Sequence, residues 1–452
     1  MKKHWLALLL VAFGCAAPAL AQVKPRVIVE TDAGGDPDDE QSLVRFLVYA
    51  NVFDVEGIIA NRPIARPGEN LNPERTGLGI VQRLVRAYGK VWPYLNQNAP
   101  GYPTEQYLMK RTVAGYCNTT DGVNLVIRVV DSKDPRPVWF LNWGTDWGSA
   151  PSCLQRALDR VLLNRGHAGY AKFKNKILLS SADRFRDHTT SIHPLFRLFV
   201  DKEWPEYDGD NWYHRFGPLT ATAGGFDLKR DVLTGHGALG ALYPTNTDSP
   251  QKEGDSITFI YLIPTGMNDP MHPGWGCWSG RYGVRQDFFR RVPTYYGANV
   301  CDRWHGTVSR DNTLRRWAVD LQNDFRARMD WCVKPYSECN HQPVAVLNGD
   351  KTRRILNVNT RVGATVALSA AGSSDPDGNS LTYHWIPYPE AGGYDGEFDV
   401  ADRHAERTTV TVPDDAGGKD LHVILAVHDD GTPPLVDYRR IILHVSPSPE
   451  SD

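Results

Sequence analysis

The chain has 452 residues, of which 41% are hydrophobic and 23% are charged, and this balance excludes disordered and collagen-like proteins. Its 50 Lys and Arg against 53 Asp and Glu give a net charge of −3, which lacks the basic excess of a nucleic-acid-binding protein. Residues 343–452 hold 9 Lys and Arg against 17 Asp and Glu, whereas the preceding part has an excess of positive charge. This asymmetry predicts two domains of different character.

The first residues predict an export signal. Two lysines precede an apolar run from Trp5 to Phe13, and small residues follow as far as Ala21. The run is too short to span a bilayer, and no later stretch is long enough. We expect a signal peptide at 1–21, cleaved near Ala21, a secreted or periplasmic protein and no membrane span. A partial match to a lipoprotein cleavage site at Cys15 is the alternative.

Six cysteines remain after such a cleavage. An even number in an oxidising compartment predicts disulfides. Cys332 and Cys339 are close enough in sequence to close a small loop, but the sequence alone does not choose among the pairings.

The predicted elements from residue 26 to about 340 alternate in the way typical of a parallel α/β fold. In chain order they are a strand at 27–29, a helix at 40–50, strands at 55–60 and 137–141, a helix at 153–164, strands at 176–180 and 257–263, and a helix at 312–331. After residue 342, short alternating segments at 365–369, 381–385, 408–412, 423–427 and 441–445 predict an all-β Ig-like sandwich. We therefore expect an α/β domain at 22–342, a β-sandwich at 343–446 and a tail at 447–452.

An acidic cluster directly follows the first predicted strand. Asp32, Asp36, Asp38 and Asp39 lie within eight residues, at the end of a strand where α/β sheets bind ligands. Carboxylates this close repel one another unless a cation or a proton intervenes, and oxygen ligands suit Ca²⁺ or Mg²⁺. A simple helix start, with Asp36 as N-cap and Pro37 as the first helical residue, is an equal alternative. It leaves Asp32 and the two neighbouring glycines unexplained.

The acidic run at 31–39, followed by Asn61 after the second predicted strand, resembles the opening of the nucleoside hydrolases. Nearly the whole mature chain is similar to secreted cellulose-binding, nucleoside hydrolase-like proteins, which join such a domain to a C-terminal Ig-like one. The resemblance implies a Ca²⁺ site with Asp32 and Asp39 as ligands. It implies Asp38 as the general base and Asn61 as a contact to the sugar hydroxyls.

The resemblance also implies ligands from later in the chain. The backbone carbonyl of Trp143 matches a main-chain metal ligand of the family. Asp269 matches the last calcium aspartate, and Glu253 and Asp255 are rivals for that position. Asn268 stands where the family has a histidine, so a leaving-group role there does not carry over.

Further residues are candidates for substrate contacts. Asp36 could exchange roles with its neighbours, because two residues are inserted before the aspartate pair. Asp183 lies where the family has a Glu-Phe-Asn run and could hold sugar hydroxyls or simply cap a turn. Candidates in loops for stacking on or binding a sugar are Trp143, Trp147, Trp275, Trp278 and Arg281, although the rings could instead seal the fold and the arginine could bind an aspartate.

These observations predict a secreted, calcium-dependent hydrolase of glycosidic bonds that acts on a carbohydrate, and they favour a larger glycan over a nucleoside. The main alternative is a non-catalytic carbohydrate-binding protein that uses the same pocket. A third possibility is a surface protein with the C-terminal domain as a spacer. The sugar, the linkage and the oligomeric state stay open.

Overall fold

The computed structural model describes residues 23–67, 74–143, 151–182, 197–199, 212–246, 251–285 and 295–447. The predicted signal peptide and two of the predicted site residues, Trp147 and Asp183, lie outside these ranges. No helix within them is both long enough and apolar enough to cross a membrane.

The first domain is built on a mostly parallel sheet of eight strands. These are β1 (Arg26–Thr31), β2 (Asp54–Ala60), β3 (Thr112–Ala114), β4 (Val138–Trp143), β5 (Ile177–Ser181), β6 (Arg197–Phe199), β7 (Gly283–Arg285) and β8 (Tyr295–Gly297). Their order across the sheet is β3-β2-β1-β4-β5-β6-β8-β7, and every neighbouring pair is parallel except β7 and β8. A small hairpin, β9 (Asp302–Trp304) and β10 (Thr307–Ser309), stands apart. The predicted α/β class is confirmed.

Helices cover both faces of this sheet. They are α1 (Asp38–Val48), α2 (Gly77–Asn98), α3 (Glu105–Met109), α4 (Asp121–Val130), α5 (Cys153–Lys174), α6 (Trp212–Thr220), α7 (Gly237–Gly240), α8 (Ser256–Ile260), α9 (Asn312–Arg315) and α10 (Ala318–Asp330). Because side chains alternate along a strand, Ile28 of β1 packs with α4 and α5, whereas Val27 and Val29 pack with α1, α2, α8 and α10. The strand is buried on both sides, as a central parallel strand must be.

One predicted strand is wrong. Residues 257–263 contain the short helix α8 and a following turn, not a strand, and the whole segment is buried. A short apolar run that is buried on every side has no helical or strand periodicity, so its pattern alone does not separate the two structures. The predicted helix at 312–331 is also divided, into α9 and α10.

The second domain is antiparallel for most of its strand pairs. Its elements are β11 (Leu356–Thr360), β12 (Thr365–Ser369), β13 (Leu381–Pro387), α11 (Pro389–Gly392), β14 (Arg407–Thr411), β15 (Asp420–Asp429) and β16 (Val436–Val445). A four-stranded sheet has the order β11-β16-β15-β13, and β12 pairs with β14 in a second sheet. Apolar side chains between them form a separate core. The predicted β-sandwich is confirmed.

The two domains share a continuous apolar core. Tyr388 and Tyr438 of the second domain are fully buried and belong to the same cluster as Trp278 and Trp317 of the first. The Trp317 ring meets both tyrosine rings edge-on, with centroids 6.2 and 5.9 Å apart. The two domains therefore pack directly against each other, and the boundary placed at residue 342 stays a prediction.

The six described cysteines are free thiols, contrary to the predicted disulfides. Cys153 and Cys277 are buried in different parts of the first domain. The Cys332 thiol donates to the Arg328 carbonyl at 3.4 Å, and that of Cys339 to the Lys334 carbonyl at 3.9 Å. An even count of cysteines says nothing about the geometry that a disulfide needs, which is why the prediction failed.

Candidate metal and active site

The site begins where β1 ends. Thr31 closes the strand, the chain turns through two glycines, and α1 begins at Asp38. Gly34 has φ +94°, which favours glycine. At Gly35 a Cβ would lie 2.5 Å from the Arg62 guanidinium and 3.0 Å from the Asp32 carboxylate. The two glycines therefore let this turn form and let Arg62 reach Asp32.

Three buried carboxylates meet at this edge of the sheet, and we call Asp38, Asp39 and Asp255 the acid cluster. Each offers an oxygen that lies within 4.8 Å of an oxygen of the other two. Asp38 and Asp39 stand in the first turn of α1, and Asp255 directly precedes α8. None of the three is more than 3% exposed. Two segments more than 200 residues apart in sequence thus supply one group of oxygen ligands.

Helix α1 holds the distant segment in place. The Gln41 side chain accepts from the backbone N–H groups of Lys252 and Glu253 at 2.9 and 3.1 Å. Arg45 and Glu253 form an ion pair with fully buried side chains. Glu253 also accepts from Tyr243 at 2.6 Å. These bonds place Asp255 beside the start of α1. Glu253, which was also a candidate for the last calcium-ligand position, fixes this segment against α1.

Burial and mutual repulsion disfavour negative charge in the acid cluster. Desolvation raises the pKa of Asp39 well above its ordinary value, and the neighbouring charges of Asp255, Asp32 and Asp38 raise it further. Desolvation, followed by the charge of Asp38, likewise raises the pKa of Asp255 well above its ordinary value. A compensating positive charge would favour the ionised form of these carboxyl groups, and its absence favours the protonated form.

The donor set fits a hard divalent cation. Both carboxylate oxygens of Asp255 are buried and have no hydrogen-bond partner among the described residues. Asp32 lies within hydrogen-bonding reach of Asp39, and desolvation raises its pKa although Arg62 opposes this. Thr31 donates its hydroxyl to Asp39. Several carboxylate oxygens gathered around one point are the ligands that Ca²⁺ takes in proteins.

Two cations beside the carboxylates escaped the sequence analysis. The Lys252 ammonium bonds to Asp36 and is raised in pKa by the charges of Asp38, Asp36 and Asp255, against the effect of burial. Arg62 donates to Asp32 at 3.2 Å. Neither stands in a motif: Arg62 simply follows Asn61, and a lone lysine in a loop normally faces solvent.

Asp36 is not the N-cap of helix α1, contrary to the simple helix start considered from the sequence. Pro37 occupies the N-cap position of α1 and makes no side-chain cap, while the Asp36 carboxylate binds Lys252. Asn61 follows β2, is fully buried, and donates its backbone N–H to the Thr31 carbonyl at 3.0 Å. Asn61 therefore lies at the same edge of the sheet as the acid cluster, as the order of the strands requires.

The acid cluster contains Asp255 and not Asp269, the residue that the sequence favoured as the last metal ligand. Asp255 lies in the acid cluster, whereas Asp269 lies in a loop and holds His272 at 2.9 Å. Asn268 accepts from Thr265 and donates to the Tyr261 carbonyl at 3.0 Å, so it stabilises that loop. The sequence favoured Asp269 because the assumed strand at 257–263 would have placed residues 268 and 269 just after its end; the identity of the late-chain ligand stays a prediction.

Two of the tryptophan candidates, and Arg281, are buried against other parts of the protein. Trp143 ends β4 and is fully buried, and its indole N–H donates to Thr258 at 2.7 Å, so its ring is not in a loop. The role of its backbone carbonyl stays a prediction. Trp278 is buried against Tyr438, and Arg281 pairs with Asp302 at 2.7 Å.

Trp275 is half-buried at the junction of the domains. It stacks on His272 with centroids 3.9 Å apart and meets His422 edge-on at 5.2 Å. These aromatic groups, like Trp278 and Arg281, join the domains and do not line the acid cluster. The sequence indicated that Trp275 and Trp278 lie in a loop, but not which neighbour each ring would meet.

Residues 26–282 match the family described as "Cellulose-binding Sde182, nucleoside hydrolase-like domain", which covers more than half of the chain. The chain belongs to this family. Residues 365–445 match the C-terminal domain of cellulose-binding protein Sde0182, so the Sde182 family accounts for both domains. No curated protein matches the chain significantly.

A solved structure supports the same assignment. It is a nucleoside hydrolase-related hypothetical protein from Saccharophagus degradans, described as associated with carbohydrate metabolism. It is 32% identical, superposes with a TM-score of 0.75, and the match covers 94% of this chain and 100% of that one. A PKD domain from the KIAA 1837 protein matches 24% of this chain and 93% of its own, at 19% identity and a TM-score of 0.18, which is too low to compare.

Proposed function

We propose that the protein is a secreted, calcium-dependent hydrolase that cleaves a glycosidic bond in a carbohydrate. The observation that carries this proposal is the acid cluster, in which three buried carboxylates meet and the carboxylate oxygens of Asp255 have no hydrogen-bond partner among the described residues. The position of the cluster after β1 supports it, because open α/β sheets bind their ligands beyond the carboxyl ends of their strands.

Asp39 and Asp255, with Asp32 beside them, would hold the calcium ion. When bound, Ca²⁺ supplies positive charge that orients a water and sugar hydroxyls and favours ionised carboxylates. Asp38 accepts the proton of the attacking water at one of its carboxylate oxygens. Burial lowers the pKa of the Lys252 ammonium, but the charge of Asp38 and the other neighbouring carboxylates raises the net pKa, so Lys252 supplies a positive charge near Asp38.

The neighbouring groups position the substrate. The Asn61 amide, buried at the same edge of the sheet, binds sugar hydroxyls. The burial of the acid cluster limits bulk water, which strengthens the electrostatic effect of these groups on a positively charged, oxocarbenium-like transition state. Asn268 stands where the family has a histidine, and its amide is not an acid, so the departing oxygen would take its proton from water.

A non-catalytic carbohydrate-binding protein is the second candidate. It is favoured by the family description, which reads "Cellulose-binding", and by Asn268, whose amide is committed to its own loop and offers no acid to a leaving group. In that case the acid cluster would hold a cation that binds sugar hydroxyls without turnover.

The decisive experiment compares purified wild type with Asp38→Asn and with Asp36→Asn as the matched control. We measure reducing ends released from plant, bacterial and algal polysaccharides, and cleavage of p-nitrophenyl glycosides, with calcium present. Loss of a general base lowers kcat by about 10²–10⁴-fold, so we expect that loss for Asp38→Asn and a smaller one for Asp36→Asn.

Equal rates for Asp38→Asn and wild type would reject Asp38 as the base. The reverse order of the two variants would assign the base to Asp36. Carbohydrate binding without turnover in the wild type would establish the second candidate.

A further inference from the structure

A second concave site lies between the two domains. It has a volume of about 1070 Å³ and is open to solvent. The β9–β10 hairpin and the start of α10 form one wall, and β13 with the segment after α11 forms the other. It shares no residue with the acid cluster. We call this site the interdomain cleft. Its volume exceeds that of a monosaccharide site and reaches the upper end of the usual range for ligand pockets.

Aromatic side chains stand on both walls of the interdomain cleft. Trp304 and Phe398 are half-buried, so each shows part of its ring to solvent. Trp304 lies beside His305 with centroids 4.2 Å apart, and Phe398 lies beside Tyr394 at 6.3 Å. Part-exposed rings supported from behind offer flat apolar faces, which suit the C–H faces of pyranose rings.

Each arginine of the interdomain cleft is paired with a carboxylate. Its lining contains four arginines and five acidic residues. Arg403 holds Asp399 through two bonds of 2.7 and 2.9 Å, and Arg303 faces Glu397 across the cleft at 3.7 Å. Burial, and then the charge of His404, lowers the pKa of His384. A lining of paired charges does not favour an ion, but it offers many donors and acceptors to hydroxyl groups.

The hairpin tip is held in an unusual conformation. A two-residue turn, His305-Gly306, joins β9 to β10, and both residues have positive φ, 45° and 76°. Such turns favour Asn, Asp or Gly, so a histidine there is strained. The turn places the imidazole beside Trp304 in the lining of the interdomain cleft, although a glycine would form the turn more easily.

We propose that the interdomain cleft binds a neutral oligosaccharide. Pyranose rings lie on Trp304 and Phe398, and sugar hydroxyls bond to the paired groups of Arg303, Glu397 and Arg403. The inference rests on the proposed function in naming a carbohydrate as the ligand, but it requires neither turnover nor calcium. It makes the cleft a site that holds a glycan chain separately from the acid cluster.

Binding is measured by titration calorimetry on the full chain in EDTA, with cellohexaose and maltohexaose as neutral probes and a galacturonic acid oligomer as the charged probe. We expect saturable binding of at least one neutral probe and none of the charged one. Loss of one stacking ring weakens binding by about tenfold, so Trp304→Ala and Phe398→Ala should each raise Kd by this factor. The matched control is Tyr94→Ala, because Tyr94 is an exposed ring on α2 outside the interdomain cleft.

Trp304→Phe separates stacking from folding, because it keeps a ring and should restore most of the affinity lost in Trp304→Ala. Hydrogen exchange of the wild type with the bound probe locates the site directly, and we expect protection at 303–308 and 393–399. Protection confined to 32–40 and 252–256 would show that the probe binds at the acid cluster. This result would contradict binding in the interdomain cleft while leaving the proposed function intact. Absence of neutral-probe binding, or equal Kd values for wild type and both alanine variants, would also overturn it.

Discussion

The acid cluster and the junction between the domains both bury carboxylates, but they balance the negative charge differently. At the junction, Asp302 is fully buried and accepts from Arg281 at 2.7 Å, from Arg316 at 3.2 Å and from Tyr388 at 2.5 Å. In the acid cluster the carboxylates face one another. A buried charge with built-in partners stabilises an arrangement of the chain, whereas the buried Asp255 carboxylate, which accepts no hydrogen bond from the described residues, indicates a place for a ligand.

The largest expected effect comes from removing the carboxylate of Asp302 at the junction between the domains. Asp302→Ala leaves the buried guanidinium groups of Arg281 and Arg316 without their shared partner. Breaking a buried pair in this way costs about 3–5 kcal/mol, so the free energy of unfolding should fall by that amount. Urea denaturation followed by tryptophan fluorescence measures it, with the exposed Asp414→Ala as control. A loss no larger than that of the control would show that this network does not hold the domains together.

The second-largest expected effect is the stabilisation of the acid cluster by calcium. Calcium at about 100 times its Kd should stabilise the wild type by about 2.7 kcal/mol, and Asp255→Asn should lose most of this gain. Without calcium, Asp255→Asn should be at least as stable as the wild type, because it removes a repelling carboxylate. Asp269→Ala is the matched control and should keep the whole calcium response. Thermal melting in EDTA and in calcium measures all three proteins, and a response lost in Asp269→Ala but kept in Asp255→Asn would reverse the assignment.

A smaller, pH-dependent effect distinguishes two histidines of β15 at the junction. Burial lowers the pKa of His428, but the bond to Asp320 at 3.0 Å outweighs it and the net pKa is raised. This stabilisation is fully present below about pH 6.5, the ordinary value, and is lost as pH rises through the raised pKa. His428→Gln should therefore cost about 1 kcal/mol at pH 6 and less at pH 9.

His422 should show the opposite slope. Burial, and then the charge of Arg440, lowers its pKa to about 2, so the folded protein keeps it neutral. Its contribution is present above about pH 6.5 and is lost as pH falls towards 2, because the unfolded chain takes up the proton first. Urea denaturation of wild type, His428→Gln and His422→Gln between pH 5 and 9 measures both slopes, and parallel curves would contradict them.

The sequence predicted those features that depend on neighbouring residues. The first strand, the helix after it, and the place of Asp32, Asp38 and Asp39 between them follow from a local pattern of apolar and acidic residues. The strands of the second domain also follow from local alternation, and the structure reproduces 365–369 with the same bounds. The position of Asn61 near the acidic run follows because neighbouring parallel strands end at one edge of a sheet.

The sequence could not give the features that depend on tertiary contacts. Asp255 enters the acid cluster because Gln41 and Arg45 hold the backbone and side chain of the segment before it, more than 200 residues away. The tryptophans were placed in loops near a sugar, yet Trp143 and Trp278 are buried by partners that no local pattern names. The interdomain cleft exists only when both domains are present, so neither domain's sequence indicates it.

The shared core at Tyr438 also has an evolutionary consequence. Binding modules that hang on flexible tethers can be exchanged between genes, since each keeps a water-compatible surface when it is cut away. Here a cut near residue 342 would uncover the rings of Trp278, Trp317 and Tyr438 together. A change of side chain on one side of this interface therefore alters the packing on the other, and neither domain can be replaced without refitting these rings.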